Sequence, residues 1–133
     1  MDKLDDFIGC WEMQSWTSMK NDEPAGYPMG EDAKGQIVYA ADGYMCAFLM
    51  RADFRDQTDP GGPDTCIAYG GAWTLEDDRI SHTVSYASLP HWIGRTLIRL
   101  VDREGSRMTL RTEPEFSKSG RKYEHVLVWQ KAG

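Results

Sequence analysis

Short runs in which large apolar residues alternate with polar ones recur along the chain, separated at regular intervals by tight-turn residues. Successive side chains of a strand point to opposite faces, so this pattern specifies half-buried antiparallel strands. The clearest case is the pair Gly35 to Ala40 and Tyr44 to Arg51, joined by Ala41-Asp42-Gly43. Asp-Gly supplies the positive φ of a tight turn, so the two runs form a hairpin. A second hairpin combines Ile67 to Leu75 with Arg79 to Ala87 around Glu76-Asp77-Asp78. A third joins Ile93 to Val101 and Arg107 to Thr112 around Arg103-Glu104-Gly105. Phe7 to Met19 and Tyr123 to Lys131 supply the first and last strands. About eight strands in up-and-down order predict an all-β closed barrel, the number at which the interior just holds one small ligand. Closure also removes the exposed edges that invite aggregation.

With 133 residues the chain is expected to be a single domain over 1-133, its barrel carrying a short N-terminal turn. Lys20 to Lys34 is polar, rich in Gly and Pro, and reads as a loop. Asp59-Pro60-Gly61-Gly62-Pro63-Asp64 breaks regular structure in the 52-66 loop, which has room for a short helical segment and could act as a lid over one barrel mouth. The net charge of -6 argues against a nucleic-acid or anionic-membrane partner, because both call for a basic face. The start of the chain lacks the basic patch and apolar run of a secretory signal, and no stretch approaches a membrane span, so a soluble cytoplasmic protein is expected. Cys10, Cys46 and Cys66 are odd in number and widely spaced, and are expected to be buried free thiols.

Three histidines carry the chemistry that imidazole makes available near neutrality. In the strand Arg79 to Ala87, His82, Val84 and Tyr86 share one face and Ser81, Thr83 and Ser85 the other. The larger, more apolar set should face inward, which puts His82 and Tyr86 in the lumen. The bland counterpart is an interior histidine satisfied by backbone or tyrosine groups. In the last strand Tyr123, His125, Leu127 and Trp129 form the bulkier face and are placed inside, although a slip of one residue reverses every side chain. His91 falls in a loop, and the histidines have no close i, i+2 spacing, so no metal site is expected; nothing resembles a nucleophile elbow, a phosphate loop or a dinucleotide fingerprint, and no cofactor is expected. Arg99 and Arg111 lie on neighbouring strands. An inward arginine grips a carboxylate, enolate or phenolate, an outward one merely solvates the barrel wall, and a buried Arg99 needs either such a guest or a carboxylate partner, with Glu113 the candidate. Trp16, Tyr39, Phe48, Tyr69, Trp92 and Trp129 are the candidate ligand-binding aromatics, together with Arg111. Trp92 follows Pro90-His91 at a barrel mouth, where it could stack on a guest.

Gly9-x-Trp11, Tyr27-Pro28-Met29-Gly30-Glu31-Asp32-Ala33-Lys34-Gly35, Asp42-Gly43-Tyr44-Met45, Tyr69-Gly70-Gly71-Ala72-Trp73, Pro90-His91-Trp92-Ile93-Gly94 with Arg99, and Leu127-x-Trp129 follow one another over nearly the whole chain. Taken together this ordered set resembles the bacterial and fungal lipocalin-like domain family. The resemblance implies a calycin-type barrel with an internal cavity. It also implies that Trp11 closes one barrel end with Lys131 packed over its ring, a cation–π contact of about 0.5–2 kcal/mol. It implies no single reaction, since such barrels serve as carriers or as cyclases and isomerases of secondary metabolism.

Three functional readings follow. In the first, the protein is a cofactor-independent isomerase or cyclase of a hydrophobic oxygenated metabolite, polyketide- or terpenoid-like. His82 or His125 would be the general acid/base, with Tyr86 and Arg99 stabilising oxyanion charge. In the second, the same cavity binds or carries a small hydrophobic ligand that emerges unchanged. In the third, the barrel is packed solid and acts through an oligomer surface, which leaves a homodimer open.

Overall fold

The computed structural model describes residues 3–56 and 65–132. Ten antiparallel strands form one sheet: β1 (Gly9–Lys20), β2 (Glu23–Gly26), β3 (Lys34–Tyr39), β4 (Tyr44–Met50), β5 (Cys66–Glu76), β6 (Arg79–Ala87), β7 (Thr96–Glu104), β8 (Arg107–Thr112), β9 (Glu115–Phe116) and β10 (Lys122–Lys131). Their order is β2-β1-β3-β4-β5-β6-β7-β8-β10-β9, and β10 also pairs with β1 from Trp11↔Lys131 to Lys20↔Tyr123. That last pairing closes an eight-stranded barrel. The short β2 and β9, which the sequence pattern does not signal, extend β1 and β10 beyond it. Short 3₁₀ turns at Leu4–Asp6, Phe54–Asp56 and Pro90–Trp92 are the only helical segments among the described residues, and none is long or apolar enough to cross a membrane.

The expected hairpins form where the turn residues allow them. Gly43 takes φ +92° between β3 and β4, and the Asp42 carboxylate accepts from the Tyr44 amide at 3.3 Å. Asp77 adopts φ 55° between β5 and β6. The third hairpin starts later than its apolar run suggests: Pro90–Trp92 is a 3₁₀ turn, Gly94 follows at φ +88°, and β7 begins only at Thr96. In the 52-66 loop the Phe54–Asp56 turn is present, while the Pro/Gly break expected to act as a lid lies outside the described residues.

Two β-bulges decide which side chains face the lumen. A bulge inserts one unpaired residue and so reverses the inward parity beyond it. In β1, Met13 pairs with Trp129 but Ser15 pairs with Val128, leaving Gln14 as the extra residue. Trp11 and Met13 on one side of the bulge, and Trp16 on the other, thereby all turn inward despite their mismatched sequence parity. In β6, Val84 pairs with Gly71 and Tyr86 with Gly70, leaving Ser85 as the extra residue. Position 71 must be glycine here, because a Cβ would run into the carbonyl oxygen of Thr83.

Phe7, Trp11, Met108 and Trp129 are fully buried where β1 begins and β10 ends. The Trp11 indole donates to the Phe7 carbonyl at 2.9 Å, and the Lys131 ammonium lies 5.4 Å from the Trp11 ring centroid. This is the end closure that the family resemblance implies. The three cysteines are free but not buried as expected: Cys46 sits on an outward position of β4 and is exposed, and Cys10 and Cys66 are half-buried.

Candidate functional site

A cavity of about 490 Å³ lies inside the barrel. Its wall is aliphatic through Ile37, Leu49, Ile67, Leu97, Leu110 and Leu127, each contributed by the inward face of a different strand. Trp16, Tyr69, Trp92, Trp129, His125 and Arg99 add aromatic and polar groups, and Arg95, Glu113 and Glu115 stand at the exposed rim. The bulky parity of β10 therefore does face inward, as the sequence suggests. A separate depression of about 510 Å³ on the barrel exterior, beside Gln36 and Phe48, is lined largely by exposed side chains and brings none of the histidines or Arg99 together.

His82 has 0% exposure and does not itself line the cavity. Its Nε2 lies 2.7 Å from the Tyr39 hydroxyl and its Nδ1 lies 3.0 Å from the Tyr69 hydroxyl. It is thus the satisfied interior histidine, held between two tyrosines. Burial, and secondarily the Arg99 guanidinium, push the imidazole down from 6.5 to about 3, so the ring is neutral at neutral pH. Burial likewise raises both phenols, with Tyr69 adding to the effect on Tyr39 and Arg99 opposing it at both. Tyr39 is sealed behind His82, whereas Tyr69 reaches the cavity wall, where its ring meets Trp92 edge-on at 5.4 Å. Trp92 sits on the Pro90–Trp92 turn at the mouth, as expected.

His125 is half-buried in the cavity lining. The Trp16 indole N–H donates to its Nδ1 at 3.0 Å. An indole only donates, so Nδ1 carries the lone pair and the neutral ring holds its hydrogen on Nε2. Burial and then Arg99 lower this imidazole, and Glu115 opposes them. Arg99 on β7 is inward and has no carboxylate within ion-pair distance among the described residues; its one hydrogen bond goes to the Ile98 carbonyl at 3.3 Å. The expected partner, Glu113, instead pairs with Arg79 at 3.3 Å.

Three candidate residues fall outside the cavity. Tyr86 is 79% exposed, because the Ser85 bulge flips it from the lumen face it was expected to share with His82. Phe48 is 55% exposed, because the inward set of β4 is Met45, Ala47 and Leu49. Arg111 follows inward Leu110 on β8, points outward, and lies 3.9 Å from Glu124 on the outer wall of β10. Among residues the sequence reading passed over, Leu97 of β7 and Leu110 of β8 contribute to the apolar wall. Their signal was ordinary strand alternation, which does not distinguish core from cavity.

One further polar atom stands out. Among the described residues the Trp129 indole N–H is buried with no hydrogen-bond acceptor, and Trp129 lines the cavity.

Residues 8–132 match the profile of a family described as a lipocalin-like domain. Among curated proteins the chain is similar to the 4'-hydroxy-3'-methoxypropiophenone carrier protein ppsC of Aspergillus oryzae (strain ATCC 42149 / RIB 40), with 33% identity over 73 residues. The match covers 49% of this chain and 66% of that protein, so the chain spans just under two thirds of the relative's length. No solved structure matches the chain.

Proposed function

The chain belongs to the lipocalin-like domain family, and from that premise we propose that it binds or carries one small, largely apolar, oxygen-bearing molecule inside the barrel. The observation that carries this reading is the roughly 490 Å³ aliphatic cavity with the unpaired Arg99 guanidinium in its wall. Such a volume suits a guest of one or two rings, and apolar walls with a few polar groups are the usual make-up of a small-molecule site. The similarity to a protein named as a carrier of an aryl ketone supports the same class of guest here, with polyketide- or terpenoid-like metabolites as the wider set. A cytoplasmic setting belongs to the same proposal.

The imidazoles favour binding over catalysis. His82 is sealed from the cavity and His125 has its basic nitrogen occupied by Trp16, so neither offers a lone pair to a guest in this arrangement. The isomerase or cyclase reading draws on a different observation, the presence of Arg99 and Tyr69 in one cavity lining, where the guanidinium would stabilise an oxyanion.

Tryptophan fluorescence tests the proposal, since Trp16, Trp92 and Trp129 line the cavity. Titration with a panel of aryl ketones, phenols and terpenoids is expected to give saturable one-to-one quenching, and the guest is expected to be recovered chemically unchanged after incubation. Conversion of the guest would favour the catalytic reading. Absence of saturable binding across the panel would overturn both.

A further inference from the structure

We propose that Tyr39, His82 and Tyr69 form a hydrogen-bond relay whose one unused hydrogen is delivered by Tyr69 into the cavity, so that the site selects guests presenting an acceptor-only oxygen, a ketone carbonyl or an oxyanion. The inference rests on the binding reading above and assigns the guest's polar chemistry.

The argument is a count of hydrogens. A neutral imidazole carries one N–H and each phenol one O–H, three in all. The two contacts, at 2.7 and 3.0 Å, use two of them and leave one. Two arrangements satisfy both contacts. In the first, Tyr39 donates to Nε2, Nδ1–H donates to the Tyr69 oxygen, and the Tyr69 hydrogen is free. In the second every bond is reversed and the Tyr39 hydrogen is free. Tyr39 is fully buried and lies outside the cavity lining, and among the described residues its hydroxyl has no hydrogen-bond partner but His82, so the second arrangement strands a hydroxyl hydrogen in the core. Tyr69 lines the cavity, where a guest can accept its hydrogen. The first arrangement is therefore favoured, and it makes the Tyr69 wall a donor.

Three further side chains of the lining have the same polarity for independent reasons, and the hydroxyls able to accept belong to the exposed Thr96 and Tyr123 and to Thr112, whose oxygen already accepts from the His125 amide at 2.8 Å. The Trp129 indole N–H is buried without an acceptor. Arg99 has only hydrogens to give. His125, with Trp16 on Nδ1, presents Nε2–H. The carboxylates of the lining, Glu113 and Glu115, are on exposed residues at the rim, and Glu113 is engaged by Arg79. A guest hydroxyl set among these donors would leave its own hydrogen without an acceptor. A carbonyl or oxyanion would not. His82 never touches the guest and acts as a positioning residue through Tyr69.

The experiment combines ring-¹⁵N histidine NMR of the full chain with binding of matched probes: acetophenone, ethylbenzene as its oxygen-free counterpart, and 4-nitrophenolate, whose colour reports ionisation. In the free protein at neutral pH, His82 is expected to carry its hydrogen on Nδ1. Acetophenone or 4-nitrophenolate is expected to bind about tenfold more tightly than ethylbenzene, the scale of one hydrogen bond, and which of the two does so separates ketone from oxyanion. Tyr39→Phe frees the imidazole to accept from Tyr69 and is expected to erode that preference while leaving ethylbenzene affinity unchanged; a purely structural role would weaken all probes together. Tyr69→Phe, which keeps the ring and the other donors of the lining, is expected to erode the preference at least as far as Tyr39→Phe does. A hydrogen on Nε2 in the free protein overturns the relay whatever binds. An affinity ratio near one in the unaltered protein overturns the selection of acceptor oxygens. Failure of every probe to bind, with the hydrogen still on Nδ1, overturns the binding reading and the selection built on it, and leaves the relay standing as structure.

Discussion

Replacing His82 with glutamine should flatten the acid side of the protein's stability profile. The imidazole titrates at about 3 in the folded chain against 6.5 when unfolded, so between those values the unfolded state binds the extra proton and stability falls as pH falls. The contribution is fully present above 6.5 and lost toward 3. At pH 5 the loss relative to pH 7 is about 2 kcal/mol, and across the whole window about 5 kcal/mol, at 1.36 kcal/mol per pH unit. Because His82 has no exposure, solvent screening does not dilute the effect. Glutamine retains one donor and one acceptor for the two tyrosines but does not titrate in this range. Urea unfolding at pH 7 and pH 5 should show the parent losing about 2 kcal/mol more than His82→Gln, even if the variant starts less stable at pH 7. Parallel losses would refute the reasoning, since His125 and the carboxylates are common to both proteins.

Gly71→Ala should destabilise by about 1–3 kcal/mol, because its Cβ meets the Thr83 carbonyl at the β6 bulge; unchanged denaturant stability would contradict that geometry. Trp11→Ala, which empties a fully buried site at the closed end, should cost about 3–5 kcal/mol. Lys131→Met should cost about 0.5–2 kcal/mol through loss of the cation–π contact, so a melting temperature unmoved by either change would remove the end closure from the account. Tyr86→Ser should leave stability within about 0.5 kcal/mol and guest affinity unchanged, whereas lost binding would place Tyr86 in the lumen.

Turn chemistry made much of this barrel readable. Asp42-Gly43 has one good structural use, and the hairpin it specifies carries Tyr39 and Leu49 inward on either side. The bulk of Tyr123, His125, Leu127 and Trp129 likewise favoured the inward face of β10 over the reversed register, and all four line the cavity. Parity reasoning failed at Tyr86 because a bulge is a property of two paired strands. The Ser85 insertion answers to Gly71 on β5, and neither residue announces it alone. Phe48 misled by size: an aromatic ring suggests pocket, yet the small Ala47 beside it occupies the inward position. A histidine satisfied by tyrosine was legible as one of two readings of His82, but which tyrosines hold it was out of reach, since the contact joins β3, β5 and β6, and local periodicity carries no information on which inward side chains meet. The sequence left Arg99 open between the lumen and the outer wall; it lines the cavity, and Glu113, the partner expected for an inward Arg99, is taken by Arg79 from the adjacent strand.

Where a guest sits is the most direct test of the account. Intermolecular nuclear Overhauser contacts between bound acetophenone and the labelled protein should run to Leu97, Leu110, Leu127 and the Trp129 indole, all of which line the interior cavity. Contacts confined to Gln36, Phe48 and Met50 on the exterior depression would contradict a barrel that holds its ligand within.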